Sequence, residues 1–208
     1  EHACVSCHDP VHAYTDRQPR SIGAQGQRLR RNAPSILYSA WNPSLGWDSP
    51  GSRSLESQML IPLFASHPVE LGLAGVEARV LALLQADASL RQRFDEAFPG
   101  ERDPVTMDNV IRAIASFERT LGEGSSAFDR YVFEADRDGM SPSALRGLDL
   151  FYGGQAGCSG CHSGMAFSGS LRSVEQPDAE PGFADNGHGA EGPARVPSLR
   201  NVAVTGPY

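Results

Sequence analysis

Cys4-Val5-Ser6-Cys7-His8 and Cys158-Ser159-Gly160-Cys161-His162 each set two thiols and an imidazole within five residues, at opposite ends of the chain. Thiolates are nucleophiles and soft metal ligands, and imidazole binds iron or zinc, so three chemistries compete: a thioredoxin-like redox pair, a shared zinc site and c-type haem attachment. A redox pair has no use for the trailing histidine, and a compact zinc module keeps its halves closer in sequence. All four cysteines fall in these motifs, which argues against two structural disulfides of an exported protein. Haem attachment uses every residue of the pattern: the thiols add to the two vinyl groups, and the next histidine turns beneath the ring to give iron a nitrogen. Cys4, Cys7, Cys158 and Cys161 are therefore the expected attachment points of two covalently bound c-type haems, with His8 and His162 as proximal ligands.

Helices must hold these motifs. "TMDNVIRAIASFERTL" has Thr106 as a cap and Val110, Ile111, Ile114, Phe117 and Leu121 at helical spacing, which predicts an amphipathic helix with those residues in the core. "SPSALRGLDLFYGG" predicts another, with Ser141 as N-cap, Pro142 in the first turn and Gly153 as stop, leading into the second motif. "VELGLAGVEARVLALLQ" and "ASLRQRFDEAF" read as two short helices packing on a haem edge, the second ending at Pro99-Gly100. From Asp9 to about Pro68 the chain is rich in Gly, Pro, Ser and Arg without a helical period, so long loops walling a cofactor pocket are expected. Residues 166–196, with Gly182, Gly187, Gly189 and Gly192, read as a surface excursion. Met165 stands too close to the second motif to reach the opposite ring face and is assigned to packing.

The 208 residues can bury a real core. With 40% hydrophobic and 21% charged residues and no long apolar run, no membrane span is expected. All 18 basic residues are Arg and the formal net charge is −7, which excludes nucleic acid as the main partner because phosphate neutralisation needs a basic face. A polar, turn-like stretch between Phe133 and Asp138 sets the expected boundary between an N-terminal haem domain, residues 1–134, and a C-terminal one, residues 135–208. Little sequence precedes the first motif or follows the second, so the expectation is part of a longer protein, any signal peptide lying upstream.

"RNAPS", "SLESQ", "HPVELG", "AIASFERTL" and "VPSLRNVAVTGPY", in this order and with compatible spacing along essentially the whole chain, resemble the bacterial di-haem cytochrome c peroxidase and MauG superfamily. The resemblance implies a mainly α fold of two cytochrome-c-like haem domains with long loops and little β structure. In that family the N-terminal haem reacts with hydrogen peroxide and the C-terminal haem relays electrons, with a tryptophan between them. His8 would hold the peroxidatic iron and His162 the electron-transfer iron, while Trp47 matches the bridging tryptophan and Trp41 is its nearby competitor. Glu70 matches the acid on the open side of the peroxidatic haem, where it would carry a proton between the two peroxide oxygens, with a pKa raised by shielding from water. Gln58 matches a distal-pocket amide and Pro62 a pocket wall.

The family also binds calcium between its haem domains, which the resemblance places on Asn32, Thr205 and Pro207 through a side-chain oxygen and backbone carbonyls. In the peroxidase branch a histidine after the first motif caps the iron until reduction. "SIGAQGQ" has Ala24 or Gln25 near that place, so an iron open without prior reduction is expected, His12 and His67 being the possible substitutes. The distal ligand of the second haem lies beyond Tyr208 in the family pattern.

Three functions follow from the resemblance. The first is a peroxidase fed by a small c-type cytochrome or copper protein. The second, closest to the subgroup of the methanobactin-associated di-haem enzyme, oxidises a tryptophan of a partner protein; "CHDP", "SHPVELG" and "FERTL" with "SAFDRY" carry that likeness. The third is a non-enzymatic di-haem electron carrier. Covalent haem attachment of this kind places the protein in the periplasm.

Overall fold

A computed structural model of the chain describes residues 2–42, 44–47, 52, 54–122, 124–169, 183–184 and 194–207. Gly182, Gly187, Gly189 and Gly192 lie outside the described residues. Helices dominate: α1 (Leu55–Phe64), α2 (Glu77–Ala86), α3 (Ala88–Ala97), α4 (Met107–Arg119), α5 (Ala127–Phe133), α6 (Pro142–Tyr152) and the short α7 (Val202–Thr205). The β structure among the described residues is a two-residue antiparallel pair, β1 (Phe183–Ala184) and β2 (Ala194–Arg195), with two isolated bridges, Asp9 to Thr15 and Ile22 to Arg28.

The core forms where α1 crosses α4. Leu55, Met59 and Leu63, each four residues after the last, make one buried stripe on α1, and Ile111 and Ala115 of α4 close against it. Each large apolar side chain buried there contributes about 1.5–3 kcal/mol. This corrects the expectation of unbroken loops up to Pro68. Ser54 caps α1 by accepting from the Ser57 amide, and Pro62 sits in the last turns, where its missing N–H takes a donor from the Gln58 carbonyl without ending the helix. An interior proline and three serines before it hid the stripe.

The helix expected from Val69 begins only at Glu77. Residues 71–73 run back over the end of α1 instead: the Leu71 amide donates to the Pro62 carbonyl and the Leu73 amide to that of Leu63, both at 2.9 Å. Gly72 and Gly75 take positive φ, +73° and +83°, which a helix does not tolerate. α2 and α3 pack on each other rather than on the cavity described below, which neither helps to line.

α4 and α6 form as their caps predict, with Thr106 and Ser141 accepting from the Asn109 and Ala144 amides. The α4 stripe keeps its expected face: Ile111 is buried in the core with Ile114 packed against it, and Phe117, 54% exposed, lines the cavity described below. α5 is an additional helix, started by a capping box in which Ser126 and Asp129 exchange side-chain to backbone bonds.

The Asp129 carboxylate, 1% exposed, takes a two-pronged pair from Arg200 at 2.6 and 2.8 Å. Arg200 also donates to the Met165 carbonyl at 2.7 Å and lies over the Tyr38 and Phe167 rings at 4.9 and 5.3 Å. Together with the Ser168 to Asn42 hydrogen bond at 3.0 Å, these contacts join the loop after the second motif to the N-terminal part of the chain.

Candidate haem and peroxide site

The two Cys-x-x-Cys-His segments fold alike. Each forms a single 3-10 turn, Cys4–Ser6 and Cys158–Gly160, in which the histidine amide donates to the first cysteine's carbonyl, at 2.8 Å for His8 and 2.9 Å for His162. The four thiols are free of disulfides. His8 Nδ1 lies 3.1 Å from the Tyr14 carbonyl and His162 Nδ1 lies 2.9 Å from that of Phe167. A carbonyl only accepts, so Nδ1 carries the proton in both rings and Nε2 is left as the metal-binding nitrogen. Both acceptor residues sit in the left-handed region, φ 60° for Tyr14 and 50° for Phe167, a local cost that recurs at the same place in each motif. Burial pushes His8 below its ordinary value, which favours the neutral, ligating form.

A cavity of ≈ 450 Å³ opens beside the first motif. Cys4, Cys7 and His8 reach it from the N-terminus, Gln58, Met59 and Pro62 from α1, Glu70 from the returning segment, and Ile114, Phe117 and Glu118 from α4. Glu70 is held through its backbone: its carbonyl accepts from the Ala24 amide at 2.9 Å, and the neighbouring Val69 carbonyl accepts from the Gln27 side chain. Gly23 permits this approach, since a Cβ there would run into the Val69 carbonyl. Burial raises the Glu70 pKa above the usual carboxylate range. The loop at Ala24 and Gln25 is therefore pinned to the acid and contributes Ile22, not a ligand, to the cavity. His12 pairs with Asp9 at 2.8 Å and His67 is exposed beside Ser66; neither lines the cavity.

Two cavity residues escaped the sequence reading. Glu118 lies in "AIASFERTL", but on an amphipathic helix its position beside Phe117 gives no sign that it is half-buried; desolvation lifts its pKa to about 7. Arg195 is 5% exposed, and its burial comes from a tertiary contact, the Arg195 amide donating to the Trp47 carbonyl at 2.7 Å.

Trp47 is half-buried and donates from Nε1 to the Asn32 carbonyl at 2.8 Å. The Arg31 and Arg195 guanidinium carbons stand 5.9 and 5.8 Å from the centre of its ring. Trp41 is 41% exposed and packs on Tyr38. A second cavity of ≈ 560 Å³ is lined by Tyr38, Phe128, Leu148, Phe151, Phe167 and Arg200. Phe167 connects it to His162, but Cys158, Cys161 and His162 are not in its lining. Thr205 is buried and precedes Gly206, whose carbonyl accepts from Arg17 at 3.4 Å. Among the described residues no group of three or more His, Cys, Asp or Glu forms a metal site, and no helix is long and apolar enough to cross a membrane.

The residues present fit a covalently held haem. Free thiols, an imidazole with Nε2 available, mostly apolar walls and a buried guanidinium converge on one cavity.

The sequence profile described as di-haem cytochrome c peroxidase matches residues 1–137. The chain is 33% identical to the methylamine utilization protein MauG of Methylophilus methylotrophus, over 99% of this chain and 61% of that protein. It is also 33% identical to the cytochrome c551 peroxidase of Nitrosomonas europaea, again over 99% of this chain and 61% of the relative. The crystal structure of a MauG-like protein associated with microbial copper homeostasis superposes with a TM-score of 0.87 at 33% identity, covering all of this chain and 65% of that one. The chain thus spans about 61% of the length of these two relatives.

Proposed function

This chain belongs to the di-haem cytochrome c peroxidase family, and on that premise we propose that it forms part of a periplasmic oxidoreductase that reduces hydrogen peroxide at the haem held by His8. The observation that carries this reading is the convergence of Cys4, Cys7 and His8 with Glu70 and Gln58 on one cavity. The two haems, when bound, supply an iron open to peroxide and a second iron that feeds it electrons. Everything else falls to the chain's own residues.

Cys4 and Cys7, and Cys158 and Cys161, form the thioether bonds, and the Nδ1 bonds orient His8 and His162. Glu70 takes the proton from one peroxide oxygen and returns it to the other, so that the O–O bond breaks with water as the leaving group. Gln58 donates a hydrogen bond that fixes the peroxide's orientation. Apolar Met59 and Ile114, on the same walls, keep bulk water from competing for the proton. Trp47 carries electrons between the two haem sites. Asn32, Thr205 and Pro207 would offer neutral oxygens to a calcium ion, a donor set suited to a hard cation. We place the division of those domains near residue 134.

A MauG-like reading, in which the oxidising equivalents pass to a tryptophan of a partner protein, is favoured by one feature: the loop at Ala24 and Gln25 brings no histidine to the cavity. Stopped-flow mixing separates the two. If the electron source is a small c-type cytochrome or copper protein, peroxide triggers rapid oxidation of the reduced donor. If the substrate is a protein, the donor stays reduced, and a co-encoded partner gains mass on tryptophan. Neither outcome, in a protein that carries two haems, leaves only an electron carrier.

A further inference from the structure

We infer that Arg195 holds a propionate of the haem attached at Cys4 and Cys7, an inference that rests on the haem reading above. Arg195 is 5% exposed, yet its Nε and Nη1 have no hydrogen-bond partner. A guanidinium keeps its charge at any physiological pH, and a buried charge without a counter-charge is strongly unfavourable. Desolvation shows in its pKa, pulled down to about 10.

The side chain is not displaced at random. β2 and the bond from its amide to the Trp47 carbonyl fix its backbone, and it lines the same cavity as Cys7, His8 and Glu70. Two acids share that lining, Glu70 and Glu118, but no described ion pair links either to Arg195. The missing partner is an anion that enters the cavity. The planar fork of arginine matches a carboxylate with two parallel N–H to oxygen bonds, and the haem brings two carboxylates of its own as propionates. The pairing also bears on Trp47. A guanidinium 5.8 Å from the indole centre opposes positive charge on that ring, and a propionate on Arg195 cancels the opposition where electrons must pass.

The test uses the holoprotein and the variants Arg195→Gln and Arg195→Lys, with haem content counted by pyridine haemochrome. Redox titration of the high-spin haem is expected to give a lower midpoint potential in R195Q, because an uncompensated propionate stabilises the ferric state. In R195K the retained charge keeps the potential near that of the parent, while the propionate-bending band in resonance Raman shifts as the two-pronged contact is lost. Two haems with potential and band unchanged in R195Q overturn the assignment. If R195Q gives no soluble holoprotein, an unchanged bending band in R195K overturns it alone. A free anion held in place of the propionate would make the parent's midpoint vary with chloride or phosphate concentration and leave the band unmoved in R195K, which also refutes it. Absence of haem from the parent protein would instead refute the underlying haem reading.

Discussion

Glu70→Gln is expected to slow peroxide cleavage by about 10²–10⁴-fold, the usual worth of a positioned acid–base group. Gln keeps the size and a hydrogen bond but cannot accept and return a proton. The backbone clamp on Val69 and Glu70 does not involve the carboxyl, so the segment should keep its place and the loss should be chemical. Glu70 must be ionised to act, and burial raises its pKa. The parent's cleavage rate should therefore fall as pH drops through a value above the ordinary carboxylate range, and E70Q should lack that acid limb. Glu118 lines the same cavity with a pKa of about 7, so E118Q is the control, and there the limb should survive. Rapid mixing of holoprotein with peroxide between pH 4 and 8 reads both. An E70Q rate equal to the parent's removes Glu70 from the mechanism.

The largest effect on stability is expected from Asp129→Ala, about 3–5 kcal/mol, because it strands Arg200 as a buried cation. Arg200 has 8% of its side chain exposed, and nothing else described offers it a carboxylate. The damage should reach the second haem motif, since Arg200 also braces the Met165 carbonyl and the Phe167 ring, and the Phe167 carbonyl orients His162. The pH dependence has a definite sign. The Arg200 hydrogen bonds hold the Asp129 carboxyl down to about 2, below its unfolded value. The pair's contribution is therefore complete above the unfolded carboxylate pKa and is lost as pH falls towards about 2. Urea unfolding at pH 7 and pH 3 checks this, with the gap between parent and D129A narrowing at the lower pH. A constant gap would mean that the pair is not what stabilises α5.

The chemistry-bearing residues were legible because their types and spacing repeat: a thiol, thiol, imidazole series has few uses, and its second copy excludes most of them. α4 and α6 were legible through local signals, Thr106, Ser141, Pro142 and Gly153, each acting within its own helix. α1 was not, because its stripe of Leu55, Met59 and Leu63 is interrupted by Pro62, and only packing against α4 holds the helix through that residue. α5 was missed for a different reason. Its seven residues are too few to show a period, and Asp129 meets Arg200 through a contact that no local pattern announces. Arg195 belongs to the same class: a basic residue in a loop-like stretch reads as surface until the fold brings Trp47 over it. The family phrases supplied Glu70 and Gln58, and the structure adds why Glu70 stays in place, through Gly23, Ala24 and Gln27.

The central claim is that both motifs carry covalent haem and that the one at His8 leaves its iron accessible. Intact-protein mass and the absorption spectrum, taken on protein purified from a host with a c-type haem attachment system, test it together. The account predicts a mass two haems above that of the polypeptide and a high-spin component that responds to added peroxide. A colourless protein with the mass of the bare polypeptide would contradict it.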